Sequence, residues 1–157
     1  MQSIHPFLWF DSQAEEAANF YVALFPNSRV TDIVRCGPAG PGPEGSVLTV
    51  SFELNGQSFV ALNGGPMYRF NEAVSFVIPC ETQEEVDRYW DALMEGGQSQ
   101  ACGWLKDRYG LSWQVTPTAL IKLLSDPDQA KAGRVMRAMQ QMIKLDIPAL
   151  EAAAAAV

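Results

Sequence analysis

Apolar residues between positions 13 and 25 fall at Ala14, Ala17, Ala18, Tyr21, Leu24 and Phe25, a spacing that builds one face of a helix. Residues 82 to 94 repeat the arrangement with Val86, Tyr89, Trp90, Leu93 and Met94. Ser12 with Glu15, and Thr82 with Glu85, have the spacing of a capping box that satisfies first-turn amides. Pro26-Asn27 and Gly96-Gly97 end the two helices. Each is preceded by a run rich in aromatic or β-branched residues, Ile4 to Phe10 and Ala73 to Ile78, which reads as a strand. The first helix is followed by "SRVTDIVR" and then by "VLTVSFEL" and "QSFVAL", joined by Asn55-Gly56. That dipeptide is a strong hairpin signal, because both turn residues must reach positive φ. The second helix is followed by "QACGWL" and "GLSWQV", on either side of a tight turn at Asp107 to Gly110. Each half therefore reads as strand, helix, then three strands.

An offset of 69 positions lays "FLWFDSQAEEAANFYVAL" over "FVIPCETQEEVDRYWDAL" across eighteen residues without a gap. Phe7 meets Phe76, Glu15-Glu16 meets Glu84-Glu85, and Ala23-Leu24 meets Ala92-Leu93, which points to an internal duplication. In this frame His5 falls on Val74. The expected organisation is a single domain with module one at about 4–63, a linker at 64–72 carrying "NGGPMYRFN", and module two at 73–116. A helical extension occupies 117–157. It starts with a short helix near Thr118 to Leu124, followed by one opened by Asp126-Pro127. That second helix carries Ala132, Val135, Met136, Met139, Met142 and Ile143 on one face, a stripe read as core or dimer contact. The closing "ALEAAAAAV" reads as a frayed tail.

A chain of 157 residues, 48% of them hydrophobic, can bury roughly 70% of its unfolded surface without disulfides. The formal charge of -7 leaves no basic stripe for a phosphate backbone, so nucleic acid is not an expected partner. No stretch approaches the ~20 apolar residues of a membrane span, and no secretory pattern opens the chain; the expected location is cytoplasmic. Cys36, Cys80 and Cys102 are too scattered for a disulfide framework or a zinc cage, and read as small buried hydrophobes. Only Arg35 beside Cys36 hints at a reactive thiol.

The paired modules resemble the glyoxalase, bleomycin-resistance and extradiol-dioxygenase superfamily, the vicinal oxygen chelate fold. The words "PFLWFDSQAEEAANFYVALFPNS", "AVSFVIPCETQEEVDRYWDAL" and "CGWLKDRYGLSWQVTP" are similar to its 3-demethylubiquinone-9 3-methyltransferase-like, or PhnB-like, branch. The resemblance implies an α+β fold of two tandem βαβββ modules, with curved, mostly antiparallel sheets around a cavity and C-terminal helices added. It also implies pairing or exchange of modules in a homodimer, an arrangement that would cover open sheet edges.

Metal-using relatives draw ligands from the first and last strands of each module. Here the first strand offers His5, the only histidine, and its mate Val74 cannot ligate. Ala61 stands where relatives carry a carboxylate, and Gln114 stands at the corresponding point of the last strand. One imidazole and one amide fall short of the three protein ligands a divalent metal wants, so no metal and no cofactor is expected. His5 reads instead as a pocket or rim histidine. Methyl transfer would need a Gly-rich turn opening a helix, whereas "CGPAGPGPEG" is followed by strands. Glu53 could be an acid of raised pKa, but an exposed strand face explains it, and Asp107 reads as a turn former.

Strand alternation puts His5, Phe7 and Trp9 on one face and Ser112, Gln114 and Thr116 on another. The hairpin register pairs Phe52 with Phe59, on the side of Val50 and Ala61. If the ligand positions transfer, the expected ligand-binding residues are His5, Phe7, Trp9, Phe52, Phe59, Trp104, Ser112 and Gln114. Their lining suits a small apolar or aromatic organic molecule. A metal-dependent lyase, isomerase or dioxygenase of the glyoxalase type is the alternative, and a structural dimer without ligand a further one.

Overall fold

A computed structural model of the chain describes residues 3–157. Its contacts divide into two compact units, one running through Phe70 and the other from Asn71 to Val157. Unit one contains β1 (Phe7–Phe10), α1 (Ala14–Leu24), β2 (Arg29–Arg35), β3 (Val47–Leu54) and β4 (Gln57–Asn63). Its sheet has the order β1-β4-β3-β2, with β1 parallel to β4 and the other pairs antiparallel. Unit two repeats the plan with β5 (Ser75–Cys80), α2 (Gln83–Met94), β6 (Gln98–Ser99), β7 (Trp104–Lys106) and β8 (Ser112–Pro117), in the order β5-β8-β7-β6. Three helices follow: α3 (Thr118–Leu124), α4 (Gln129–Gln140) and α5 (Ile147–Ala155). The result is an α+β chain of two mixed four-stranded sheets. No described helix is long and apolar enough to cross a membrane.

Each helix covers one face of its sheet. In unit one, Ala14, Ala17, Ala18 and Tyr21 of α1 are buried, as are Leu8, Phe10, Val50, Phe52, Leu54, Phe59 and Ala61 of the strands. Tyr21 stacks on Phe52 at 6.3 Å and Phe52 on Phe59 at 5.3 Å, which identifies these alternate positions as the helix-facing side. Asn55 and Gly56 both have positive φ at the β3–β4 turn, as the dipeptide requires. The expected box at Ser12 is absent: Gln13 is the N-cap and no side chain caps α1 through its own turn. Asn63 substitutes for it, its Oδ1 accepting from Ala14 N at 2.8 Å while Nδ2 donates to Val47 O. In unit two Thr82 does cap α2, its Oγ1 accepting from Glu85 N.

The run "QACGWL" is not one strand. It breaks at Cys102 and Gly103, both at positive φ, between β6 and β7. The two residues are recruited elsewhere, since Cys102 N and Gly103 N donate to Met142 O and Ile143 O of the C-terminal segment. "ALEAAAAAV" is likewise not a frayed tail: α5 buries Leu150 and Ala154 with Leu120, Val135 and Leu145 in a core of their own. Met139 and Met142 pack against that core, whereas Met136 and Ile143 are exposed. Gln83 locks the extension to α2, its Nε2 donating to Leu145 O and its Oε1 accepting from Ile147 N at 2.7 Å. Lys144 pairs with Asp87 beside it, an ion pair that holds the carboxyl low and the ammonium high. A Cβ on Gly103 would lie 2.8 Å from Leu145 Cδ1 and 2.9 Å from Val115 O, at a φ of +83°. Gly103→Ala is therefore expected to destabilise unit two by about 1–3 kcal/mol through strain and overpacking, read as a lowered urea midpoint.

Candidate functional site

The strand faces turned away from α1 and α2 hold what chemistry the two modules offer. In unit one, register and alternation place Phe7, Trp9, Ser51, Glu53, Ser58, Val60 and Leu62 on this open face. In unit two they place Ser75, Val77, Trp104, Lys106, Ser112 and Gln114 there.

His5 lies just before β1 and lines a depression of about 390 Å³ with Thr31, Ser51, Ser58 and Val60. Its Nδ1 is 3.2 Å from Ser3 O. Phe7 is 58% exposed. Trp9 is half-buried, its Nε1 donating to Gly65 O at 2.8 Å and its ring meeting Tyr68 edge-on at 4.9 Å. Gly64 packs so close to this indole that a Cβ there would lie 2.4 Å from it. Phe52 and Phe59 only underlie the depression: at 1% and 5% exposure they belong to the core against α1. Both were expected at a ligand surface, but their side of β3 and β4 is the side the helix covers.

Ala61 is fully buried on that same side, so it is not the open-face counterpart of Gln114. The β1–β4 register pairs Phe7 with Val60, and the β5–β8 register pairs Val77 with Gln114. The buried strand residues Leu8 and Phe10 correspond to Ile78 and Cys80, an offset of 70, whereas the helices start at Ala14 and Gln83, an offset of 69. The connection between strand and helix is one residue longer in unit one. Counted along the strands, the counterpart of His5 is therefore Ser75 and not Val74, and the counterpart of Gln114 is Val60.

These four matched positions comprise an imidazole, an isopropyl group, a hydroxyl and an amide. The last two are joined to each other, Gln114 Nε2 donating to Ser75 Oγ at 2.9 Å. Taken unit by unit, one imidazole in the first and a hydroxyl with an amide in the second do not fit a divalent metal, which wants several imidazole or carboxylate ligands. Among the described residues, no group of three or more His, Cys, Asp or Glu side chains is arranged to hold one.

Trp104 lies beside Gln114 on β7 and is half-buried. Ser112 is 0% exposed and its Oγ has no hydrogen-bond partner among the described residues. Lys106, its neighbour on β7, is ion-paired with Glu72, and that contact draws the carboxyl of Glu72 below its usual range. Glu53 is paired with exposed Arg29 at 3.5 Å. Asp107 is a structural group: its carboxylate accepts from Tyr109 N, Leu111 N and the indole of Trp113. Burial pushes the Cys80 thiol up to about 12, which keeps it protonated and unreactive at neutral pH.

Val77, Val60 and Lys106 were not singled out by sequence reasoning. The signal that could have found them is the length of the strand-to-helix connection. Thr82 marks the N-cap of α2 two residues after Cys80, whereas three residues separate Phe10 from Ala14.

A family model described as 3-demethylubiquinone-9 3-methyltransferase matches residues 2–116, a span that ends before α3. A PhnB protein of Bacillus cereus, described under the same enzyme name, is 39% identical. The match covers 74% of this chain and all of the other, with a TM-score of 0.69. A protein from Pseudomonas aeruginosa is 21% identical over 74% of this chain and 98% of its own, with a TM-score of 0.61. A genomically encoded fosfomycin resistance protein from Listeria monocytogenes is 12% identical over 74% and 93%, with a TM-score of 0.50. The last two are likenesses of fold. No curated protein sequence matches the chain.

Proposed function

Because the chain belongs to the 3-demethylubiquinone-9 3-methyltransferase family, the PhnB-like branch of the glyoxalase-fold superfamily, we propose that it binds a small apolar or aromatic organic molecule on the open faces of its sheets, without a metal. The observation that carries this reading is the make-up of those faces. Phe7 and Val77, at 58% and 51%, are the most exposed large apolar residues in any strand among the described residues. Beside them stand a few groups able to orient a ligand: His5 in unit one, and Ser75, Gln114 and Ser112 in unit two. Such a surface, apolar with sparse donors and acceptors, suits a flat organic ligand. A second copy of the chain, bringing its own open faces, is the partner proposed to complete the enclosure.

Literal methyl transfer is not part of the proposal. The Gly/Pro segment after Cys36 joins β2 to β3, so no helix N-terminus stands behind it to receive a nucleotide-type cofactor.

A thermal-shift screen of quinones and planar aromatic compounds tests the reading. A ligand selective for the native state must raise the melting temperature, by about 2.7 kcal/mol of added stability at a hundred times its Kd. The expected hit loses its effect in Phe7→Ala or Gln114→Ala, variants on the open faces. A broad panel with no stabilising compound overturns the proposal. Near-stoichiometric zinc, nickel, manganese or iron in protein purified without a His tag or chelator overturns its metal-free part.

A further inference from the structure

Two rows of side chains cross the open face of unit two at right angles to its strands. Register partners Lys106, Ser112 and Ser75 make one row, on β7, β8 and β5; Trp104, Gln114 and Val77 make the next. Adjacent strands lie about 4.8 Å apart, so members of a row are immediate neighbours. The second row is mainly apolar, and the first consists entirely of groups that can donate hydrogen bonds. Ser112 Oγ is the informative member, since it is buried and unpartnered, a state that costs a hydroxyl roughly 1–3 kcal/mol. Ser75 Oγ accepts from Gln114 Nε2 and so keeps its own proton free to donate. Lys106 adds a positive charge, and the end of the row already accommodates a carboxylate, that of Glu72. Glu72 is half exposed and stands at the start of unit two, outside any strand.

Resting on the reading that this face binds a small organic molecule, we propose that Lys106, Ser112 and Ser75 receive the oxyanion head of that molecule. Glu72 serves as an internal stand-in that leaves Lys106 when the ligand arrives. The ligand class is then an aromatic or apolar acid, its body lying along Val77 and Trp104 and its acidic group filling the place Glu72 gives up. Exchange of one carboxylate for another conserves the charge pairing of Lys106 and adds a partner for the buried Ser112 hydroxyl. That added partner favours the ligand over Glu72. The lowered pKa of Glu72 agrees with an anion held at this end of the row.

Calorimetric titration of the full chain with benzoate and with its neutral analogue benzamide, at low salt and pH 7, tests the inference. Benzoate is expected to bind more tightly than benzamide. Lys106→Met and Ser112→Ala should each weaken benzoate by roughly tenfold, the size of a hydrogen bond to a charged group, and leave benzamide within about twofold. Ser112→Ala keeps the fold available for the measurement, since it removes a hydroxyl that has no partner. Glu72→Gln should tighten benzoate several-fold by removing the competing carboxylate. Equal binding of the two probes, or benzoate affinity unchanged in both Lys106→Met and Ser112→Ala, overturns the oxyanion site while leaving small-molecule binding intact. Weaker benzoate binding in Glu72→Gln overturns the stand-in role. Failure of both probes, together with a silent aromatic panel, overturns the underlying function as well.

Discussion

Phe52→Ala is expected to lower the unfolding free energy by about 3–5 kcal/mol, the range for truncating a buried aromatic. Phe7→Ala is expected to leave it within about 0.5 kcal/mol, as at other exposed positions. The two side chains lie in neighbouring regions of one sheet, yet they face opposite ways. Phe52 is sandwiched between Tyr21 of α1 and Phe59, with 1% of its surface exposed. Its removal leaves a cavity that the buried alanines of α1 cannot fill, since Ala14, Ala17 and Ala18 carry only a methyl group with no rotamer to extend. Phe7 makes no comparable burial and stands on the open face that the proposed ligand would meet. Urea denaturation of both variants, with ligand binding measured alongside, separates core from surface. A Phe52→Ala protein with unchanged midpoint, or one that loses ligand affinity at unchanged stability, would show that the strand faces have been assigned the wrong way round.

Asp107→Ala should cost about 3 kcal/mol or more, since three donors lose an ionised acceptor at once. The carboxylate is 3% exposed. Its Oδ1 takes Tyr109 N at 2.8 Å and Leu111 N at 3.1 Å, and its Oδ2 takes Trp113 Nε1 at 2.9 Å. The turn between β7 and β8, with Gly110 at positive φ, is thereby tied to the indole on the helix-facing side of β8. Asp107→Asn should cost less, because the amide oxygen can still accept from the two backbone amides while its NH2 faces the indole donor. Equilibrium unfolding followed by Trp fluorescence checks both. A loss under 1 kcal/mol in the alanine variant would mean that solvent replaces the carboxylate, and the turn would not depend on it. A catalytic role for Asp107 predicts the opposite signature, lost activity at unchanged stability.

The two helices of the repeat were readable from spacing because a helix with one buried stripe repeats its apolar residues every three or four positions. Val86, Tyr89, Trp90 and Leu93 are all buried, as that spacing requires. The β3–β4 hairpin was readable because Asn55-Gly56 tolerates a conformation few dipeptides accept. The site was less legible. His5, Phe7, Trp9, Ser112 and Gln114 all stand on, or beside, the open faces, but Phe52 and Phe59 do not. Strands such as "VLTVSFEL" carry bulky residues at positions that either face could use, so alternation identifies two sides without saying which one the helix takes. The closing segment of the extension was misread for a different reason. An alanine-rich helix shows almost no contrast between faces, and α5 is held by Gln83, 64 residues away from Ile147 in the chain.

From sequence alone came most of the elements, the internal repeat and the register of the β3–β4 hairpin, consequences of local periodicity and turn chemistry, while the family came from the resemblance of its motifs. Tertiary structure decided which strand face lies under the helix and which residues of the two modules correspond. The physical reason is the period of two along a strand: one extra residue between β1 and α1 moves every side-chain comparison to the opposite face. That single residue makes Ser75 the counterpart of His5 and Val60 the counterpart of Gln114, while Ala61 belongs to the core because it shares the helix-facing side with Val50 and Phe59.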